Sequence, residues 1–100
     1  MPRFNVKPGV ILPPVVNILA IVAEVMEKHA VECTVTSGVD GKHKAGSLHY
    51  AEKALDFRTR SLNDDLKSRI ASECRERLGP GYDFVIEPDH YHVEHDKKGQ

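Results

Sequence analysis

The sequence predicts an α+β domain: a small, mainly antiparallel sheet carrying two helices. Three patterns predict it. Apolar residues recur at helical spacing over Val15–Met26 and again over Leu62–Leu78. Alternation with a period of two marks Val31–Ser37, Ala54–Thr59 and His90–His95. A turn at Glu87–Asp89 separates the last two strands so briefly that an antiparallel hairpin is expected. Two helices and four short strands in the order helix, strand, long loop, strand, helix, strand, strand describe this class.

Each element has its own signal. Met1–Gly9 and Lys97–Gln100 read as frayed or extended ends. Pro13 and Pro14 open the first helix, because proline suits the first helical turn. Val15, Ile18, Leu19, Val22, Val25 and Met26 then form one apolar stripe, the mark of a core helix. His29 falls near the end of this helix and reads as a helix-terminal histidine without chemistry. In the first strand Val31, Cys33 and Val35 alternate with Glu32, Thr34 and Thr36. Gly38–Ser47 holds three glycines and many polar residues and reads as a loop. Ser61, with Asp64 three residues on, is expected to cap the second helix as a capping box. Leu62, Leu66, Ile70, Cys74 and Leu78 mark its buried side, and Gly79–Pro80 end it. Tyr82–Ile86 and His90–His95 are the closing strands.

Composition narrows the function classes. A chain of 100 residues fills one core, so residues 1–100 are read as a single domain with its core at about 10–96. Its 40% apolar content argues against disorder, and a net charge of -1 supplies no basic field for nucleic acid. Val10–Met26 carries Pro13, Pro14, Asn17 and Glu24, which suits no membrane-spanning helix, and its periodic pattern is unlike a signal peptide. Neither membrane insertion nor a signal peptide is expected. Cys33 and Cys74 form no CxxC pair and read as small buried thiols.

The chemistry-bearing residues fall into two clusters, His49–Asp56 and Asp89–His95. Six histidines in a chain this short is a high count, and two of them, His90 and His95, directly neighbour acidic residues. A catalytic zinc ion takes three protein ligands of nitrogen, sulfur or carboxylate type and keeps one position open. Two histidines and an aspartate meet that need. His49 ends the glycine-rich loop and Asp56 lies in the next strand, so a loop that curls back brings both to one ion. Ala54, small and on the face of Asp56, leaves room there. In the last strand His90, His92 and Glu94 share one face, opposite Tyr91, Val93 and His95. This favours His92 or His90 as the third ligand and disfavours His95. The other histidine then neighbours bound water or a developing oxyanion. Arg58 shares the face of Asp56 and is expected to pair with it. His43 reads as a solvated loop residue.

Taken in order, Ser37-Gly38, Ser47-Leu48-His49, Ala54-Leu55-Asp56-Phe57-Arg58 and Asp89-His90-Tyr91-His92-Val93-Glu94 resemble the D-Ala-D-Ala carboxypeptidase and L-alanyl-D-glutamate endopeptidase family. These zinc peptidases share their fold with the hedgehog signalling domain. The family pattern is SxHxxGxAxD, followed by a carboxylate three residues ahead of a zinc histidine. The resemblance covers about Val31 to Glu94. It implies that His49, Asp56 and His92 hold one zinc ion, that Asp89 is the general base and that His90 assists at the oxyanion. Ser37, Lys42, His43 and Ser47 are then the expected substrate-side residues, with Ser47 supporting the ligand loop.

The implied reaction is hydrolysis of an amide bond in a peptidoglycan stem peptide, with zinc lowering the pKa of water to about 7 and Asp89 taking its proton. Nickel, cobalt and manganese suit similar ligands. Two departures from the pattern matter. The family arginine of SGxR is Asp40 here, so that Lys42 or His43 would have to serve; and the family glycine of SxHxxGxAxD is Glu52. Neither touches a metal ligand. Small single-domain members without a signal peptide resemble phage or prophage lysis proteins, which accumulate in the cytoplasm and reach the cell wall through a separate membrane-permeabilising partner. A monomer is the favoured state. The alternative is a zinc-containing wall-binding or phage structural module that hydrolyses nothing.

Overall fold

The computed structural model describes residues 3–10, 17–38 and 54–95. Among these, five strands and two helices follow the order β1 (Asn5–Val6), α1 (Asn17–Lys28), β2 (Thr34–Ser37), β3 (Ala54–Arg58), α2 (Asp64–Leu78), β4 (Tyr82–Ile86) and β5 (His90–His95). The sheet has the order β1-β2-β3-β5-β4. Only the β1–β2 pair is parallel, so the sheet is mixed but mostly antiparallel, and the expected α+β class is observed.

Alternation sets the two faces of the sheet. Val35, Leu55, Phe57, Phe84, Tyr91 and Val93 point inward and are buried with Ile18, Val22, Val25 and Met26 of α1 and Ile70, Ala71 and Cys74 of α2. The apolar stripe read from the sequence is therefore the packed face of α1; Val15 and the proposed start at Pro13–Pro14 lie outside the described residues. Leu62 and Leu66 pack at the margin of this core rather than in it. Cys33 and Cys74 are free and buried, and burial pushes both thiols up to about 12.

Three boundaries differ from expectation. Asn5–Val6, within the end read as frayed or extended, is an edge strand paired with Thr34 and Val35; two residues are too few to show a period. Helix α2 begins at Asp64, and its cap is Asn63, whose Oδ1 accepts the Leu66 N–H at 2.8 Å; Ser61 does not cap it. Asn and Ser are equally good caps, and the extended backbone of Asn63 decides between them. The first alternating stretch narrows to Thr34–Ser37, although Cys33 is buried as its parity predicts. The end of α2 is as read: Gly79 takes a positive φ of 87° and donates its N–H to the Arg75 carbonyl at 3.1 Å.

Two polar links tie the helices to each other and to the sheet. Glu73 of α2 accepts from Lys28 at 2.6 Å and lies 3.1 Å from His29, so His29 has a structural role at the end of α1. Lys28 first, and His29 second, hold the Glu73 carboxyl below the usual carboxylate range. Tyr91, fully buried, donates its hydroxyl to the Lys67 carbonyl at 2.6 Å and fixes β5 against α2. No helix among the described residues is long and apolar enough to cross a membrane.

Two stability tests follow from these contacts. A carboxyl whose folded pKa is depressed contributes stability above its unfolded value and loses it as pH falls through the folded one. Glu73→Gln is therefore expected to lower the melting temperature at pH 7, with the deficit against wild type closing as pH falls below about 4. An equal deficit at both ends of a melting series from pH 7 to pH 3 contradicts the link. Thr59 is buried, and its Oγ1 has no hydrogen-bond partner among the described residues. Thr59→Val removes that orphan hydroxyl at constant shape. It is expected to raise stability by up to about 1 kcal/mol, or roughly 4–8 °C in a domain of this size, on thermal melting.

Candidate functional site

The face of the sheet opposite the helices carries the polar chemistry. Parity puts Ala54, Asp56 and Arg58 of β3 on it, together with His90, His92 and Glu94 of β5. The antiparallel register then sets them side by side: Ala54 opposite Glu94, Asp56 opposite His92, Arg58 opposite His90. On the other flank of β3, a bulge in β2 brings Ser37 opposite Asp56. An irregularity of this kind re-aims side chains, and Ser37 and Asp56 line the same cavity.

Carboxylates and imidazoles alternate in a chain across this face. Asp89 Oδ1 lies 2.7 Å from His90 Nδ1, and His90 Nε2 lies 3.9 Å from Asp56 Oδ2. Asp56 Oδ1 lies 2.7 Å from His92 Nδ1, and His92 Nε2 lies 2.8 Å from Glu94 Oε1. The hydrogen bond to Asp56 is the main cause that pushes His92 up to about 9, against the opposing effect of burial, with Glu94 adding to the rise. Asp89 is held below the usual carboxylate range, chiefly by its hydrogen bond to His90.

The donor chemistry at Asp56 and His92 suits a divalent ion. A tetrahedral zinc with bonds of about 2.0–2.2 Å spaces its donors roughly 3.3 Å apart, so this pair has only to open slightly to share an ion. Glu94 on the far ring nitrogen is the kind of carboxylate partner that orients a ligating histidine. Among the described residues no three His, Cys, Asp or Glu side chains gather closely enough to hold an ion. The remaining expected ligand, His49, lies outside the described residues, as do Lys42, His43 and Ser47.

Several expectations meet the geometry differently. Asp56, Asp89, His90, His92 and Ser37 are brought to one region. His95 turns away, its ring 4.9 Å from that of Tyr82, as its parity predicted. Arg58 shares the face of Asp56 but forms no ion pair with it; the two histidines take the carboxylate oxygens instead. A cavity of about 330 Å³ opens beside Asp56, Asp89 and His90, with Thr36 and Ser37 in its lining. Its other lining residues are Lys7, Arg58 and Arg60, and sequence reasoning did not assign Lys7 or Arg60 to a site. The two-residue spacing from Arg58 to Arg60 was visible in the sequence; nothing local singled out Lys7.

With this geometry in view, comparison with known proteins adds no assignment. No family model, curated protein or solved structure matches the chain.

The turn that bears Asp89 is held from α2. Lys67 Nζ donates to the Glu87 carbonyl at 2.7 Å and the Pro88 carbonyl at 2.9 Å, and the Thr59 N–H donates to the Asp89 carbonyl at 3.1 Å. Lys67→Met keeps the stem and deletes both donors. It is expected to cost about 1 kcal/mol and to speed amide exchange at Glu87, whose N–H donates to the His90 carbonyl at 2.9 Å. Unchanged exchange there by hydrogen–deuterium mass spectrometry rules out the clamp.

Proposed function

We propose that this chain is a zinc-dependent peptidase that hydrolyses amide bonds in the stem peptides of bacterial peptidoglycan, of the D-Ala-D-Ala carboxypeptidase or L-Ala-D-Glu endopeptidase type. The observation that carries the reading is the pairing of Asp56 with His92. Two residues of the expected ligand set, 36 positions apart, meet at 2.7 Å on an open sheet face. Asp89 and His90 stand at the start of the same strand. His49 completes the set as the third ligand.

The division of labour follows from residue chemistry. The ion, when bound, polarises the scissile carbonyl and acidifies water. Asp89, 80% exposed at its side chain and bonded to His90 through Oδ1, takes a proton from attacking water at its other oxygen and returns it to the leaving amine. His90 orients the Asp89 carboxylate through its Nδ1, and its Nε2, 3.9 Å from Asp56 Oδ2, is the nitrogen proposed to face the developing oxyanion, a role that needs a proton on both ring nitrogens. Glu94 holds the ring of His92 from behind. The proposed setting is phage or prophage lysis, with delivery to the wall by a separate permeabilising protein.

One observation favours a second reading, a zinc-containing wall-binding or phage structural module without turnover. The hydrogen bond from His90 lowers the pKa of Asp89 and so weakens it as a base. Metal analysis combined with mass spectrometry of digested peptidoglycan separates the two. The peptidase reading expects about one zinc per chain and defined fragments from wild type. Asp89→Ala keeps the zinc and loses activity by about 10²-fold or more, while Asp56→Ala and His92→Ala lose the metal itself. Wild type that holds zinc and binds wall fragments, yet releases none, supports the module. Wild type that holds no metal sinks both.

A further inference from the structure

The family arginine that anchors substrate is replaced by Asp40, yet the cavity beside the Asp56–His92 pair is rich in cations. Lys7, Arg58 and Arg60 line it, against two carboxylates, Asp56 and Asp89. Those carboxylates are already engaged: Asp56 by His92 at 2.7 Å, Asp89 by His90 at 2.7 Å. Among the described residues, Lys7, Arg58 and Arg60 form no ion pair, whereas Lys28, Arg69 and Arg77 each do. Among the described residues the lining thus sets three cationic side chains against two carboxylates, a net positive charge next to the proposed reaction centre.

Three separate parts of the fold converge to make it. Parity puts Arg58 on the face of Asp56, and the register sets it opposite His90. Arg60 follows two residues later, beyond the end of β3. Lys7 arrives because β1 runs parallel to β2, and its own N–H donates to the Val35 carbonyl at 2.9 Å, next to Thr36. Arginine binds a carboxylate with two parallel N–H donors, and lysine adds a mobile point charge.

We infer that Lys7, Arg58 and Arg60 form the subsite for the α-carboxylate of the residue on the leaving side of the cleaved bond. This rests on the peptidase reading and deepens it by naming the substrate anchor. Both candidate bonds fit. A terminal D-Ala carries a free carboxylate on the carbon that bears its amine, and so does a D-Glu joined onward through its side chain. A carboxylate held at these cations lies beside Asp56 and His90, which line the same cavity. The anchor does not require the loop residues Lys42 and His43.

The test compares a D-Ala-terminated stem peptide with its C-terminal carboxamide, on the full chain loaded with zinc. Binding is followed by NMR titration and turnover by mass spectrometry. The inference expects wild type to prefer the carboxylate peptide by about tenfold to a hundredfold, the range for a charge-assisted pair. Arg58→Gln, and more fully the combination of Lys7→Gln, Arg58→Gln and Arg60→Gln, erases that preference while the zinc content stays at the wild-type level. Arg69→Gln, on the exposed side of α2, leaves the preference intact. Lys7 and Arg60 are exposed, so their single variants are not expected to disturb folding and report even where Arg58→Gln melts early. Equal binding of acid and amide by wild type, or a preference that survives the triple substitution, overturns the subsite. A preference lost in the variants but unaccompanied by hydrolysis in wild type keeps the anion site and sinks the peptidase.

Discussion

The antiparallel pairing of β3 with β5 is the constraint on which the rest of the structure depends. It joins five residue pairs, Ala54–Glu94 to Arg58–His90, at the centre of the sheet. A strand has a side-chain period of two, so a slip of one residue in a strand turns its whole inward set to solvent. Leu55, Phe57, Tyr91 and Val93 are buried in the observed register. A slip in either strand would expose two of these side chains, and that cost favours the observed register. The polar residues between them have no choice of position. Asp56 meets His92 because Leu55 and Phe57 must meet Val93 and Tyr91.

The core thus acts as the jig for the site. Tyr91 shows the connection most directly: its ring lies 4.7 Å from that of Phe84, its hydroxyl bonds to the Lys67 carbonyl, and Lys67 in turn holds the turn before Asp89. Helix α2 therefore reaches the polar face without touching it. Sites whose side chains stand on strands backed by packed helices keep their geometry better than sites built on loops. The aspartate–histidine chain on this face is held in the same way, each imidazole set between two carboxylates.

Electrostatics divides the polar face into two territories. Toward Glu94 the carboxylates outnumber the cations, and His92 is drawn toward its charged form. Toward Lys7, Arg58 and Arg60 the balance is reversed. The substrate proposed above, with a neutral amide and a neighbouring carboxylate, would match that division: its charged end would meet the cations and its amide the carboxylate–imidazole chain.

Much of this was legible in the residues. Parity alone put Asp56 and Arg58 on one face of their strand and His90, His92 and Glu94 on one face of theirs, and helical spacing identified the packed sides of both helices. These are local properties, set by covalent geometry and by the aversion of apolar side chains to water. The short strand at Asn5–Val6, the cap at Asn63 and the arrival of Lys7 beside Arg58 were not legible. Each depends on which distant backbone offers a partner, and no period within a segment encodes that. Arg58 is the clearest case. The sequence determined the face on which it stands, but only the tertiary structure decided that Asp56 would give its oxygens to two histidines. That choice leaves the guanidinium to the cavity.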